Sequence, residues 1–127
     1  MLTGILVVFA GLFGAAGIAG AAVAAHGGGD AQLAAIAAAI AVVHAPTLLA
    51  LAGLRSYLPR LAGSAGFLAI IGTLCFSGDL AARVAWDDRL FTNAAPIGGS
   101  LLILSWMVVA VAGIILAVRR TGFKATP

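Results

Sequence analysis

The chain has 127 residues, of which 63% are apolar and 9% are charged, and its formal net charge is +3. Ordinary globular domains carry about 25% charged residues, because charge covers the surface that faces water. The composition therefore excludes a soluble enzyme, a nucleic-acid binder and a disordered chain, and it predicts a membrane protein with a single domain.

The seven basic and four acidic residues leave four long uncharged stretches. Each stretch is long enough for a helix of about 17–25 residues, which is the length that spans a bilayer. The stretches lack the apolar and polar alternation of a membrane barrel, and they are rich in alanine and leucine, which favour helix. The sequence therefore predicts an all-α integral membrane bundle, residues 1–118, with transmembrane helices over residues 4–25, 31–54, 63–82 and 97–118.

The first apolar stretch differs from a signal peptide. No Lys or Arg precedes it, and its apolar core exceeds the usual length of about 7–15 residues. We therefore expect it to remain in the protein as a membrane span.

The predicted connections differ in length. His26 and three glycines form a tight link to Asp30, and residues 55–62, which include Pro59, form a short turn. Residues 83–96 form the longest connection, and their mixture of aromatic and charged side chains is typical of the membrane interface. We expect Asn93 to cap the fourth helix and Pro96 to lie in its first turn.

Basic residues are divided unequally between the two sides of the predicted bundle. One side has five, namely Arg55, Arg60, Arg119, Arg120 and Lys124, whereas the other has only Arg83 and Arg89 together with all four aspartates. The positive-inside rule predicts that both termini are cytoplasmic, with residues 119–127 as a polar cytoplasmic tail.

Small residues are the expected means of helix packing. Because lipid provides no hydrophobic drive between helices, close approach of backbones matters more than in water. We expect this role for six of the seventeen glycines: Gly17, Gly20, Gly72, Gly78, Gly98 and Gly99. These faces could pack within the bundle, against a partner protein, or both.

His44 and Pro46 form a candidate deep polar site in the second helix. Pro46 removes a backbone donor and crowds the carbonyl of Val42, so we expect a kink. An ionisable side chain at this depth is a functional candidate, but a neutral histidine that hydrogen-bonds a freed carbonyl or a neighbouring helix is the simpler interpretation. We expect a neutral His44 that faces the bundle interior, with Thr73, Ser77 or Ser105 as possible partners.

His26, Asp79 and Arg83 form a second candidate cluster, at the periplasmic helix ends. Asp79 and Arg83 have the i,i+4 spacing of a helix ion pair, and His26 is expected at the same depth. The cluster either holds the helix ends together or provides a proton or ligand site.

No catalytic set, metal site or cofactor site is predicted. His26 and His44 are separated by roughly 20 Å of depth, too far for one haem iron. Cys75, His44 and Asp79 lack metal-ligand spacing, and the lone Cys75 is expected to be a small buried hydrophobe.

Several short motifs occur in a recognisable order. They are Gly14-Ala15-Ala16-Gly17, Ala25-His26-Gly27, His44-Ala45, Leu48-Leu49-Ala50, Phe76-Ser77-Gly78, Ala95-Pro96-Ile97-Gly98-Gly99 and Trp106. With these motifs the chain resembles domain-of-unknown-function family 423, small four-helix membrane proteins that include bacterial YgdD-like proteins and animal transmembrane protein 256. The resemblance implies the fold and a membrane location, and no reaction.

We therefore expect a multi-pass protein of the bacterial inner membrane without catalytic activity or cofactor. Its expected partners are the lipid bilayer and other membrane-protein subunits or further copies of itself, and no nucleic acid. The leading hypothesis is a scaffold or accessory subunit of a larger membrane complex. The alternative is a homo-oligomeric transporter or channel for a small solute or ion, with His44 and the Pro46 kink along its path.

Overall fold

The computed structural model describes residues 1–27 and 30–122, and these residues form four long helices. The helices are α1 (Leu2–His26), α2 (Ala31–Leu54), α3 (Pro59–Trp86) and α4 (Ala94–Gly122). All four are long and apolar enough to cross a membrane. The predicted all-α fold with four membrane-spanning helices is confirmed. Residues 123–127, the last part of the predicted polar tail, lie outside the described residues.

The third helix is longer than predicted at both ends. Pro59, expected in the turn, begins α3, because proline is tolerated where the first backbone N–H groups have no helical partner. At the other end, α3 continues to Trp86 and stops at Asp87, whose φ of 56° is left-handed. The connection to α4 is therefore shorter than the sequence suggests. Asn93 also has a positive φ, 65°, and its carbonyl accepts the N–H of Ile97 at 3.0 Å.

The helices are arranged mainly in chain order. α1 packs along α2, α2 along α3 and α3 along α4, whereas α1 meets α3 over only a short stretch. The described parts of α1 and α4 have no close backbone contact. In the most apolar part of each helix, 44% of the α3 residues are buried, against 22% in α1 and 17% in α4. α3 is thus the central helix, and α1 and α4 are the outer ones.

Four of the predicted packing glycines allow close approach of the helices, two at the α3–α4 crossing and two at the α1–α2 crossing. A Cβ atom on Gly98 would lie 2.4 Å from the backbone nitrogen of Phe76, and one on Gly72 would lie 2.8 Å from Leu102. These contacts define the α3–α4 crossing. At the α1–α2 crossing, a Cβ on Gly17 would lie 2.5 Å from Val42, and one on Gly20 would lie 3.2 Å from Ala38.

Gly78 and Gly99 differ from the other predicted packing glycines. A Cβ on either would meet its neighbour at ordinary contact distance, 3.6 Å and 3.7 Å. The α1–α3 crossing uses glycines that the sequence did not single out. Leu6 lies over Gly66, where a Cβ would be 2.5 Å away, and Leu2 lies over Gly63.

Large aromatic side chains are exposed at both ends of the bundle. Tyr57 lies at the end where α2 joins α3, and Trp86 and Phe91 lie at the end where α3 joins α4. Aromatic side chains are enriched at both membrane–water interfaces. Their placement agrees with a bundle that crosses the bilayer.

Candidate functional site

His44 is buried in the bundle, with 3% of its surface exposed. Its Nδ1 atom donates a hydrogen bond of 2.8 Å to the carbonyl of Ile40, one turn earlier in α2. In the neutral ring this leaves Nε2 with a lone pair, and Nε2 has no hydrogen-bond partner among the described residues. The ring of Trp106 lies edge-on at a centroid distance of 6.2 Å, so α4 reaches α2 through this side chain.

The partner of His44 is not the carbonyl that Pro46 frees. Nδ1 of His44 bonds the carbonyl of Ile40, four residues earlier. The carbonyl that lacks a donor because Pro46 has no N–H is that of Val42, four residues before the proline. Among the three hydroxyls expected near His44, Ser105 donates instead to the carbonyl of Ala65 in α3, at 2.8 Å. His44 is therefore held by its own helix and by Trp106, without a described link to another titratable group.

Asp79 anchors the α3–α4 connection. Its side chain is completely buried, and its Oδ2 atom accepts an ion-paired hydrogen bond from Arg83 Nη2. Its other oxygen accepts the backbone N–H of Leu90 at 2.9 Å. The Leu90 side chain lies over Gly78, where a Cβ would be 3.6 Å away. The carboxylate thus links the loop between α3 and α4 to the last turns of α3 through the N–H of Leu90.

His26 takes no part in the hydrogen bonds of this anchor. Its side chain is exposed, and Nδ1 donates to the carbonyl of Ala22 in its own helix at 2.7 Å. Among the described residues, no hydrogen bond or ion pair joins His26 to Asp79 or Arg83. The structure therefore brings together two of the three predicted cluster residues.

The second donor to Asp79 was missed in the sequence, although a signal for it existed. A carboxylate near lipid needs more than one partner, since an unsatisfied buried charge is costly. A connection between two antiparallel helices returns past the end of the first helix, which brings loop N–H groups near side chains in its last turns. Leu90, eleven residues after Asp79, provides that donor.

An apolar groove lies between α1 and α3 above a floor formed by α2. Its volume is about 560 Å³. The groove runs along the helices from Phe13 and Thr73 to Val23 and Val84. It therefore lies in the half of the bundle opposite to the end where Leu6 contacts Gly66. Because α1 contacts α3 near its own beginning and diverges beyond it, the two helices leave this space between them.

A smaller polar recess lies at the same end of the bundle. Its volume is about 280 Å³, and it is lined by Asp30, Leu33, Arg83, Asp87, Asp88 and Arg89. Arg60 and Arg119 line a different recess, beside the α2–α3 turn. Charged residues therefore gather at the two ends of the described bundle.

The chemistry available at these places is limited. Within residues 1–27 and 30–122, no three His, Cys, Asp or Glu side chains lie close enough to hold a metal ion. The single thiol, Cys75, is partly buried in α3. The arrangement provides helix packing, a loop anchor, one buried imidazole and an apolar groove.

The comparison with protein families agrees with the motifs in the sequence. The model of the family described as "Protein of unknown function (DUF423)" matches residues 13–99, which include the second half of α1, all of α2 and α3, and the start of α4. No solved structure matches the chain. Since the matched region covers well over half of the chain, the protein belongs to the DUF423 family.

Proposed function

We propose that the protein is a non-catalytic scaffold or accessory subunit that packs against a larger complex in the bacterial inner membrane. The observation that carries this proposal is the open arrangement of the helices. Within the described residues, α1 and α4 lack close backbone contact, so the outer side of each remains available to a neighbour.

The outer side of α1 is suited to close packing with another helix. Gly4, Gly11 and Ala15 are exposed and lie on one face of the helix at seven- and four-residue spacing. A Cβ on Gly4 or Gly11 would meet nothing within 4 Å. Small residues at such spacing allow backbones of membrane helices to approach one another.

Native purification in a mild detergent tests this proposal. We expect stoichiometric co-purification with larger membrane subunits, and we expect Gly11→Leu to reduce it because the new side chain keeps the partner helix at a distance. Gly53→Leu is the matched control, since Gly53 of α2 also has open space around it and is on neither of the two outer helices. A purified homo-oligomer without other subunits would contradict the proposal, as would equal recovery with both variants.

A homo-oligomeric transporter or channel is the second candidate. It is favoured by the buried Nε2 atom of His44, which has a free lone pair beside the Pro46 turn of α2. Flux of a small solute or of protons into proteoliposomes, abolished by His44→Gln in a folded protein, would support it.

The proposed orientation places both termini in the cytoplasm. It is supported by the unequal number of basic residues at the two ends of the bundle: the sequence has five at the α2–α3 turn and from Arg119 onward, and only Arg83 and Arg89 at the other end. A cysteine at position 88 in a Cys75→Ala background should react with a membrane-impermeant maleimide in intact cells. A cysteine that reacts only after the inner membrane is opened would contradict this orientation.

A further inference from the structure

The end of the bundle at the α2–α3 turn carries positive charge that the protein does not neutralise. Arg55, Arg60 and Arg119 lie at this end, whereas all four aspartates of the sequence lie toward the opposite end. Within residues 1–27 and 30–122, the ion pair that forms joins Asp79 and Arg83, also toward that opposite end. The Nη1 atom of Arg55 is buried and has no hydrogen-bond partner among the described residues. Because a charge near lipid is costly without a counter-charge, an anion from outside the chain would stabilise this end.

Two of these arginines line one recess between two helices. Arg60 comes from the first turn of α3 and Arg119 from the last turns of α4, and the recess between them has a volume of about 340 Å³. Among the described residues, no hydrogen bond or ion pair engages either guanidinium group. A guanidinium group binds phosphate oxygens through two parallel hydrogen bonds. Both side chains are therefore available to one phosphate group.

The same recess becomes apolar toward the middle of the bilayer. Ile115 lies on the same face of α4 as Arg119, one turn earlier and therefore about 6 Å deeper, and it lines the recess together with Leu61. Val111, another turn deeper on that face, is half-exposed. The exposed ring of Tyr57 lies at the outer rim, as is usual at the membrane–water interface. A charged rim that leads to an apolar face suits a molecule with both a phosphate group and hydrocarbon chains.

We propose that this recess binds an anionic phospholipid. The phosphate lies between Arg60 and Arg119, and the first carbons of the acyl chains lie against Leu61 and Ile115. Basic pockets between membrane helices are a general means of binding anionic lipid headgroups. The recess at the opposite end is not equivalent, because three aspartates line it together with its two arginines. The site does not depend on the accessory role proposed above.

Two lipids with identical acyl chains test the role of charge. Palmitoyl-oleoyl phosphatidylglycerol is anionic, whereas palmitoyl-oleoyl phosphatidylcholine has the same phosphate and no net charge. Binding of the first lipid to the full-length protein in a non-ionic detergent is measured by native mass spectrometry as the lipid concentration is raised. We expect phosphatidylglycerol to bind at least about fivefold more tightly. Glycerophosphoglycerol, the same headgroup without chains, should not displace it at equal concentration; displacement would mean that the site takes a soluble phosphate compound and would overturn the proposal.

Charge-removing variants assign the preference to the two arginines. Arg60→Gln and Arg119→Gln should each weaken the binding of phosphatidylglycerol about fivefold, which is the usual contribution of one basic side chain near anionic lipid. Both side chains are exposed, so the helix content by circular dichroism should be unchanged. Arg89→Gln is the matched control, because it removes the same charge from the recess at the opposite end and should leave the affinity unaffected.

A filling variant tests the recess itself. Ile115→Trp places a larger side chain in the apolar part of the recess and should weaken the binding of phosphatidylglycerol without any change of charge. Ile114→Trp is its control, since the exposed Ile114 precedes Ile115 and lies outside the recess. Equal affinity for the two lipids, equal losses in Arg60→Gln and Arg89→Gln, or equal affinities of the two tryptophan variants would each overturn the proposal. The last result would mean that positive charge attracts the lipid without a defined site.

Discussion

Replacement of Gly98 by alanine should destabilise the bundle, although alanine favours helix. The added Cβ would lie 2.4 Å from the backbone nitrogen of Phe76 and 2.7 Å from the carbonyl oxygen of Gly72. Ordinary contact begins near 3.4 Å, so α3 and α4 would have to separate locally by about 1 Å. The obstructing atoms belong to the backbone of α3, so no side-chain rotation can relieve the overlap.

The expected size follows from two opposing effects. Overpacking of a close contact costs about 1–3 kcal/mol. Replacement of glycine by alanine within a helix stabilises the helix by up to about 1 kcal/mol. We therefore expect the free energy of unfolding to fall by up to about 2 kcal/mol in Gly98→Ala, which is the cost of overpacking less the gain in helix propensity. The effect should be smaller in Gly72→Ala, because the nearest obstruction there is the side chain of Leu102.

Gly99→Ala is the matched control. Its Cβ would lie 3.7 Å from the ring of Phe76, which is an ordinary contact, so only the gain in helix propensity remains. Unfolding is measured by circular dichroism as the mole fraction of sodium dodecyl sulfate in mixed micelles is raised. If Gly98→Ala proves as stable as Gly99→Ala, the helices do not cross at Gly98 and the reasoning fails.

Three further predictions concern the buried polar groups. Asp79→Asn should lower the thermal unfolding midpoint, because it leaves the partly buried guanidinium of Arg83 without its anion. Asp88→Asn on the exposed loop should leave the midpoint unchanged. Equal midpoints for the two variants would mean that Asp79 does not anchor the α3–α4 connection. Ser105→Ala removes the hydrogen bond between α4 and α3 and should reduce the free energy of unfolding by about 0.6–1.7 kcal/mol; an unchanged value would mean that this bond contributes nothing. His44→Leu should shift the fluorescence emission of the adjacent indole and reduce expression, and His44→Gln, which retains hydrogen bonding, should reduce expression less. The reverse order for the two His44 variants would exclude a packing role.

The candidate polar sites could be located from the sequence only in part. The spacing of Asp79 and Arg83 predicts their ion pair, because a helix places residues four apart on one face. Spacing along one helix does not tell which loop atom returns to the carboxylate, so the N–H of Leu90 was missed. Depth alone suggested His26 as a third member, but two side chains at one depth can point to different sides of their helices.

The sequence by itself determined the number of membrane helices and their approximate bounds, because uncharged stretches of sufficient length leave the chain few alternatives in lipid. It also indicated glycine as the means of packing. Tertiary structure decided which glycines meet a backbone, since Gly98 and Gly99 are adjacent in sequence and differ only in the direction of their missing side chains. It also decided that α1 leaves α3 beyond Leu6 and opens the groove, because the crossing of two helices depends on the shapes of both surfaces.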